Sequence, residues 1–132
     1  MEKELNDLEG FCCRAGSSLA QPQHLPNGGV ILRVDNVDIG PGWNRERVTV
    51  LFLAPPGYPA GKPDCFWVEP GNFRLANNVT PQAANDGNPI PGDIVVGRST
   101  TWFSWHVDPW QPGRDDLVTY FQVILNRLKQ AR

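Results

Sequence analysis

The clearest period along the chain lies near its C-terminal end. Leu117, Tyr120, Phe121, Ile124, Leu125 and Leu128 recur at i, i+3, i+4, i+7, i+8 and i+11, which places them on one face of an α-helix. Pro112-Gly113 marks where this helix begins, and Asp115 and Asp116 in its first turn and Arg127 and Lys129 near its end suit the helix dipole. A weaker stripe, Leu5, Leu8, Phe11 and Cys12, predicts a short amphipathic helix over Glu2 to Cys13, ended by Gly16-Ser17-Ser18. Gln21 to Gly29 then reads as a turn-rich connector. Between the helices the pattern changes. Val30-Ile31-Leu32-Arg33-Val34, Arg47 to Leu53 and Cys65-Phe66-Trp67-Val68 are β-branched or aromatic runs bounded by Gly, Pro and Asn, the signature of strands. Asn36 to Asn44 supplies turn residues between the first two. With no helix between them, the strands suggest an antiparallel meander. From Pro70 to Gly92 nothing is periodic, and a loop of that length in a small domain is functional or mobile. The expected architecture is α+β in one domain over 1–132: short N-terminal helix, antiparallel β-meander, long irregular loop, packed C-terminal helix.

Composition narrows the function classes. The formal charge is −2, with acids and bases interspersed, which argues against a nucleic-acid partner. No apolar run approaches the roughly 20 residues of a membrane span, and the polar start carries no secretory signal. The 3 cysteines, with Cys12 and Cys13 adjacent, form neither a disulfide framework nor a zinc spacing, so a reducing, cytoplasmic setting is expected. His24 and His106 with Cys65 give no metal-ligand spacing, so no metal is expected. Gly92 to Gly97 lacks the lysine of a phosphate loop, and no cofactor is expected. Cys12 or Cys13 and Cys65 read as packing residues, as do most of the tryptophans, although Trp43, Trp67, Trp102, Trp105 and Trp110 could also line a sugar or peptide groove.

One segment carries candidate chemistry. If Trp102-Phe103-Ser104-Trp105-His106-Val107 is extended, Phe103, Trp105 and Val107 face the core while Trp102, Ser104 and His106 share the accessible side. A serine hydroxyl is a weak nucleophile until a base takes its proton, and histidine is the usual base. The plainer reading is that Ser104 and His106 are solvated or cap nearby backbone. Asp108 and Asp93 are the candidates by type to orient the imidazole. No G-x-S-x-G elbow is present, so an α/β-hydrolase is unsupported.

The order of landmarks is specific in combination. Gly57-Tyr58-Pro59, Pro63-Asp64-x-Phe66, Val68-x-Pro70, Trp102-Phe103-Ser104-Trp105-His106, Trp110-x-Pro112-Gly113 and Asp116-Leu117 resemble prokaryotic family E of the ubiquitin-conjugating-enzyme-like (UBC-like) superfamily, over roughly residues 28–130. The resemblance implies a bacterial conjugation pathway with a ThiF-type activating enzyme and a ubiquitin-like modifier as partners. In the eukaryotic relatives a cysteine just before the Trp-x-Pro segment carries the modifier as a thioester, and the asparagine of a His-Pro-Asn motif after the third strand helps stabilise the oxyanion. This chain departs from both. No cysteine follows Cys65, and Ser104 and His106 occupy the stretch where one is expected. His24-Leu25-Pro26-Asn27 precedes the first strand and reads as a turn, while Asn77 and Asn78 match the asparagine loosely. Three functions follow: a conjugating-enzyme homologue using Ser104 and His106, an inactive UBC-like scaffold, or a small Ser/His acyl hydrolase or transferase.

Overall fold

The computed structural model describes residues 1–132. Helix α1 spans Glu2–Arg14 and is followed by β1 (Ser18–Leu19), β2 (Gln23–His24), β3 (Val30–Asp38), β4 (Arg47–Ala54), β5 (Phe66–Glu69), β6 (Ala84–Asn85), β7 (Thr101–Phe103) and helix α2 (Leu117–Leu128). The strands form one sheet in the order β1-β3-β4-β5-β7-β6, with β2 also paired to β3, and every pairing is antiparallel. This is the α+β arrangement of the UBC-like expectation.

Alternation along the strands divides the side chains between two faces. Val30, Leu32 and Val34 of β3, Val50 and Phe52 of β4, Phe66 and Val68 of β5 and Phe103 of β7 face the helices. There they pack against Leu8 and Cys12 of α1 and Leu117, Tyr120, Phe121, Ile124 and Leu128 of α2. Ile31, Leu51, Leu53 and Trp67 face the other way, under Leu25 and Ile90. With both faces covered, Val50 to Ala54 of β4 reads in the sequence as an unbroken apolar run.

The start of α2 is fixed by side chains. Asp116 is the N-cap: its carboxylate accepts from the Thr119 amide at 3.0 Å, and the Asp116 amide donates to the Thr119 hydroxyl at 3.1 Å. The two aspartates expected in the first turn thus precede it. Glu4 of α1 accepts from the Leu117 amide at 3.1 Å and also from the Tyr58 hydroxyl, tying α1 and the Tyr-Pro turn to the same helix end. At the other end, Arg127 is buried rather than solvated. Its guanidinium donates to the carbonyls of Gln82, Gln130 and Arg132 and lies over the rings of Trp43, Phe103 and Trp105. Burial, with Arg132 adding, draws its pKa down to about 10.

Three expectations are corrected. Strand β3 continues through Asn36 to Asp38, because a bulge between Val34 and Val37 lets Asn36 take a φ of 60°, a left-handed conformation that asparagine tolerates. The connector before it holds β2, and β1 lies just ahead of that connector. The stretch after Pro70 is also more ordered than its composition suggests: β6 extends the sheet, and Ile90 covers the outer face. Arg98 clamps the end of this cover, donating to Asp93 at 2.7 Å and approaching Glu69 at 3.6 Å. No helix is long and apolar enough to cross a membrane.

Candidate active site

Strand β7 ends at Phe103, earlier than the alternating pattern suggests, yet the two sides of the segment persist. Phe103 is buried on the helix side, Trp105 and Val107 pack against the same core, and Trp102 joins the outer cluster. Ser104 and His106 are left at the surface where the chain leaves the sheet. The Ser104 Oγ lies 3.4 Å from His106 Nε2, at the outer limit of a hydrogen bond. On the far side of the ring, His106 Nδ1 contacts Asp64 Oδ1 directly. A carboxylate accepting from Nδ1–H leaves Nε2 free to accept from the serine, so hydroxyl, imidazole and carboxylate stand in the order that activates a serine nucleophile.

Asp64 reaches this position through the sheet. Antiparallel pairing of β5 with β7 brings the residues before Phe66 alongside those after Phe103. The junction is held from below. The Cys65 amide donates to the Trp105 carbonyl at 3.0 Å, and the Tyr120 hydroxyl bridges the carbonyls of Cys65 and Trp105 at 2.8 and 2.9 Å. The buried stripe of α2 therefore fixes the floor of the site as well as the core. His106 and Asp64 are 50% and 53% exposed in their side chains. A polar pair so exposed contributes about 0–1 kcal/mol to stability, so its placement matters to the site far more than to the fold.

Beside the array runs a groove of about 500 Å³, lined by Leu53, Pro55, Trp67, Pro89 and Trp102, with Asp64 and the half-buried Cys65 at its edge. Burial, reinforced by the negative charge of Asp64, holds the Cys65 thiol above the ordinary cysteine value. Trp67 and Trp102 are thus the two tryptophans that meet the groove expectation. Trp43, stacked on Phe73 at 4.6 Å, is core.

Residues 22–131 match prokaryotic E2 family E. The chain belongs to that family. No curated protein and no solved structure matches it. As a family E protein it is a UBC-like component of conjugation, and its matched span includes strands β2 to β7, the groove, the Ser104–His106–Asp64 array and α2.

Within this family E chain the structure brings Ser104 and His106 together, and it replaces both aspartates expected to orient the imidazole. Asp108 pairs with Lys62 at 3.1 Å, and Asp93 is clamped by Arg98 in the outer cover. Asp64 does the orienting. Its signal in the sequence is slight: a carboxylate immediately before a predicted strand, 42 positions from the histidine. Asn77 and Asn78 are exposed in a turn in which the Asn78 amide donates to the Leu75 carbonyl at 2.8 Å, outside the groove lining. His24 lies in β2 opposite Val30, and Asn27 from the turn after it reaches the groove rim. Of the adjacent cysteines, Cys12 is buried, which pushes its thiol up to about 11, and Cys13 is exposed.

Proposed function

We propose that this family E protein receives a ubiquitin-like modifier from a ThiF-type activating enzyme, and that Ser104 takes the place of the usual cysteine. In the proposed step Ser104 Oγ attacks the activated C-terminal carbonyl of the modifier and gives its proton to His106 Nε2. The departing thiolate of the activating enzyme takes that proton back, leaving the modifier as an oxyester on Ser104. Asp64 holds the ring in the required tautomer and balances the transient imidazolium. The groove lined by Leu53, Trp67 and Trp102 is the place for the extended tail of the modifier. The observation that carries this reading is the Ser104–His106–Asp64 array at the groove edge, in a chain with no cysteine beyond residue 65.

A scaffold reading has its own support. Ile94, Val95 and Val96 are exposed at the tip of the outer cover, with Val96 fully so, on a loop clamped by the Arg98–Asp93 pair. Such a patch suits protein docking without chemistry.

One experiment separates the readings. The protein is mixed with its cognate activating enzyme, modifier and ATP, and treated in parallel with a serine-reactive fluorophosphonate. A modifier adduct removed by hydroxide but not by thiol reductant, and lost in Ser104→Ala, is the expected result. Complex formation with no adduct and no labelling overturns the serine reading in favour of the scaffold. Labelling of Ser104 with no modifier adduct turns the assignment toward acyl hydrolysis.

A further inference from the structure

The Cys65 thiol, an imidazole nitrogen of His106 and a carboxylate oxygen of Asp64 all lie within 4.8 Å of one another. They come from two segments, the lead-in to β5 and the stretch after β7, and no spacing in the sequence announces the set. We propose that this trio binds a zinc-class divalent cation through Cys65 Sγ, His106 Nδ1 and an Asp64 oxygen, and that occupancy switches off Ser104. The switch rests on the serine reading above. The site itself does not.

Ligands of a tetrahedral zinc ion lie about 2.0–2.3 Å from it, which sets them roughly 3.3–4 Å apart. The trio lies within 4.8 Å, so small side-chain movements bring it to that spacing. Asp64 and His106 are half exposed and free to adjust, whereas the Cys65 backbone is held by its bonds to Trp105 and Tyr120. A thiolate with an imidazole selects zinc, cobalt or copper over magnesium, calcium or manganese. Three protein ligands leave a fourth position toward the groove, the open form of site rather than the closed structural one. Binding releases the Cys65 proton to solvent, since the thiolate is the ligand.

The consequence for Ser104 follows from the two ring nitrogens. With Asp64 accepting from Nδ1–H, Nε2 carries a lone pair toward Ser104. A cation on Nδ1 displaces that proton, and the neutral ring then carries its hydrogen on Nε2. Nε2 becomes a donor to Ser104 and can no longer take its proton. Metal binding and serine activation therefore exclude each other.

The test uses the full chain with Cys13→Ser, which removes the exposed thiol outside the trio. Cobalt(II) is titrated in, and sulfur-to-cobalt charge-transfer absorption in the near ultraviolet is read. The expected result is a band saturating at one equivalent, displaced by zinc, kept in Ser104→Ala and abolished in Cys65→Ser and in His106→Gln. His106 is exposed, so the second variant is expected to fold, and far-ultraviolet circular dichroism checks both. Saturating zinc is expected to slow fluorophosphonate labelling of Ser104 by at least about ten-fold, with recovery on adding chelator. No band, or a band that survives in Cys65→Ser or His106→Gln, overturns the site. Undiminished labelling with zinc bound overturns the switch. A cobalt band in a protein that never labels upholds the metal site and removes the serine reading, so the two fail separately.

Discussion

The two faces of the sheet are built differently. The helix-side face packs 21 buried residues into one cluster with α1 and α2, whereas the outer face holds a cluster of 6 beneath a cover without helices. On the first, large apolar side chains interdigitate, as in the stacking of Phe66 on Phe103 at 4.7 Å. On the second, a polar clamp does part of the holding: Arg98 with Asp93 and Glu69. The difference bears on function. A close-packed face has no room for a ligand, while a face covered by an irregular segment leaves a groove, with Asp64 and Cys65 at its edge and His106 against Asp64.

Substitutions on the two faces should differ in size. Phe103→Ala removes a fully buried ring that meets Phe66, Trp43, Phe73 and the Arg127 guanidinium, and is expected to cost about 3–5 kcal/mol in urea unfolding. Ile90→Ala, in the outer cover, is expected to cost about 2 kcal/mol, because a cover segment can settle into the space. A larger loss at Ile90 than at Phe103 would break the comparison.

A clamp at the β6 edge of the helix-side cluster, Arg74 on Asp86, should betray itself through pH. The Asp86 carboxyl is held below the ordinary aspartate value chiefly by its bond from Arg74, against the opposing effect of burial, with help from the Thr101 hydroxyl and the Asn72 amide. A depressed folded pKa means stability present above the unfolded value, near pH 4, and lost as pH falls through the folded one. Asp86→Asn is expected to cost about 1–3 kcal/mol at neutral pH, with the gap from wild type narrowing below roughly pH 4. A gap constant between pH 7 and 3, read by denaturant midpoints, would assign the cost to shape rather than charge.

The smallest effect on stability is expected at the site. Asp64→Asn should move the unfolding free energy by no more than about 0.5 kcal/mol, since the pair is half exposed. The same change should slow fluorophosphonate labelling of Ser104 by about 100-fold, because an amide cannot hold the imidazole in its required tautomer. Equal loss in both readouts would mean that Asp64 supports the fold rather than the serine.

How much was legible depended on how local the cause was. The α2 stripe is a one-dimensional pattern, and it marked the element that fills the core. The alternation from Trp102 to Val107 assigned sides correctly even past the end of β7, because the bulky residues keep to the core whether or not the ladder continues. The reach of β3 past Asn36 was hidden, since a bulge needs only one residue able to adopt a left-handed conformation and leaves the period broken. Burial of Arg127 was hidden too. A charged side chain near a helix end reads as solvated, and only the carbonyls and rings that gather around it show otherwise.

By itself the sequence determined the two helices, the central strands, the family landmarks and the presence of Ser104 and His106 in a segment with one apolar side. These depend on neighbours a few positions apart, where the periods of helix and strand operate. Tertiary structure alone chose Asp64 over Asp93 and Asp108, and alone set Cys65 beside the same imidazole. Both choices follow from pairing β5 with β7, a contact across some 40 positions for which the chain carries no local record.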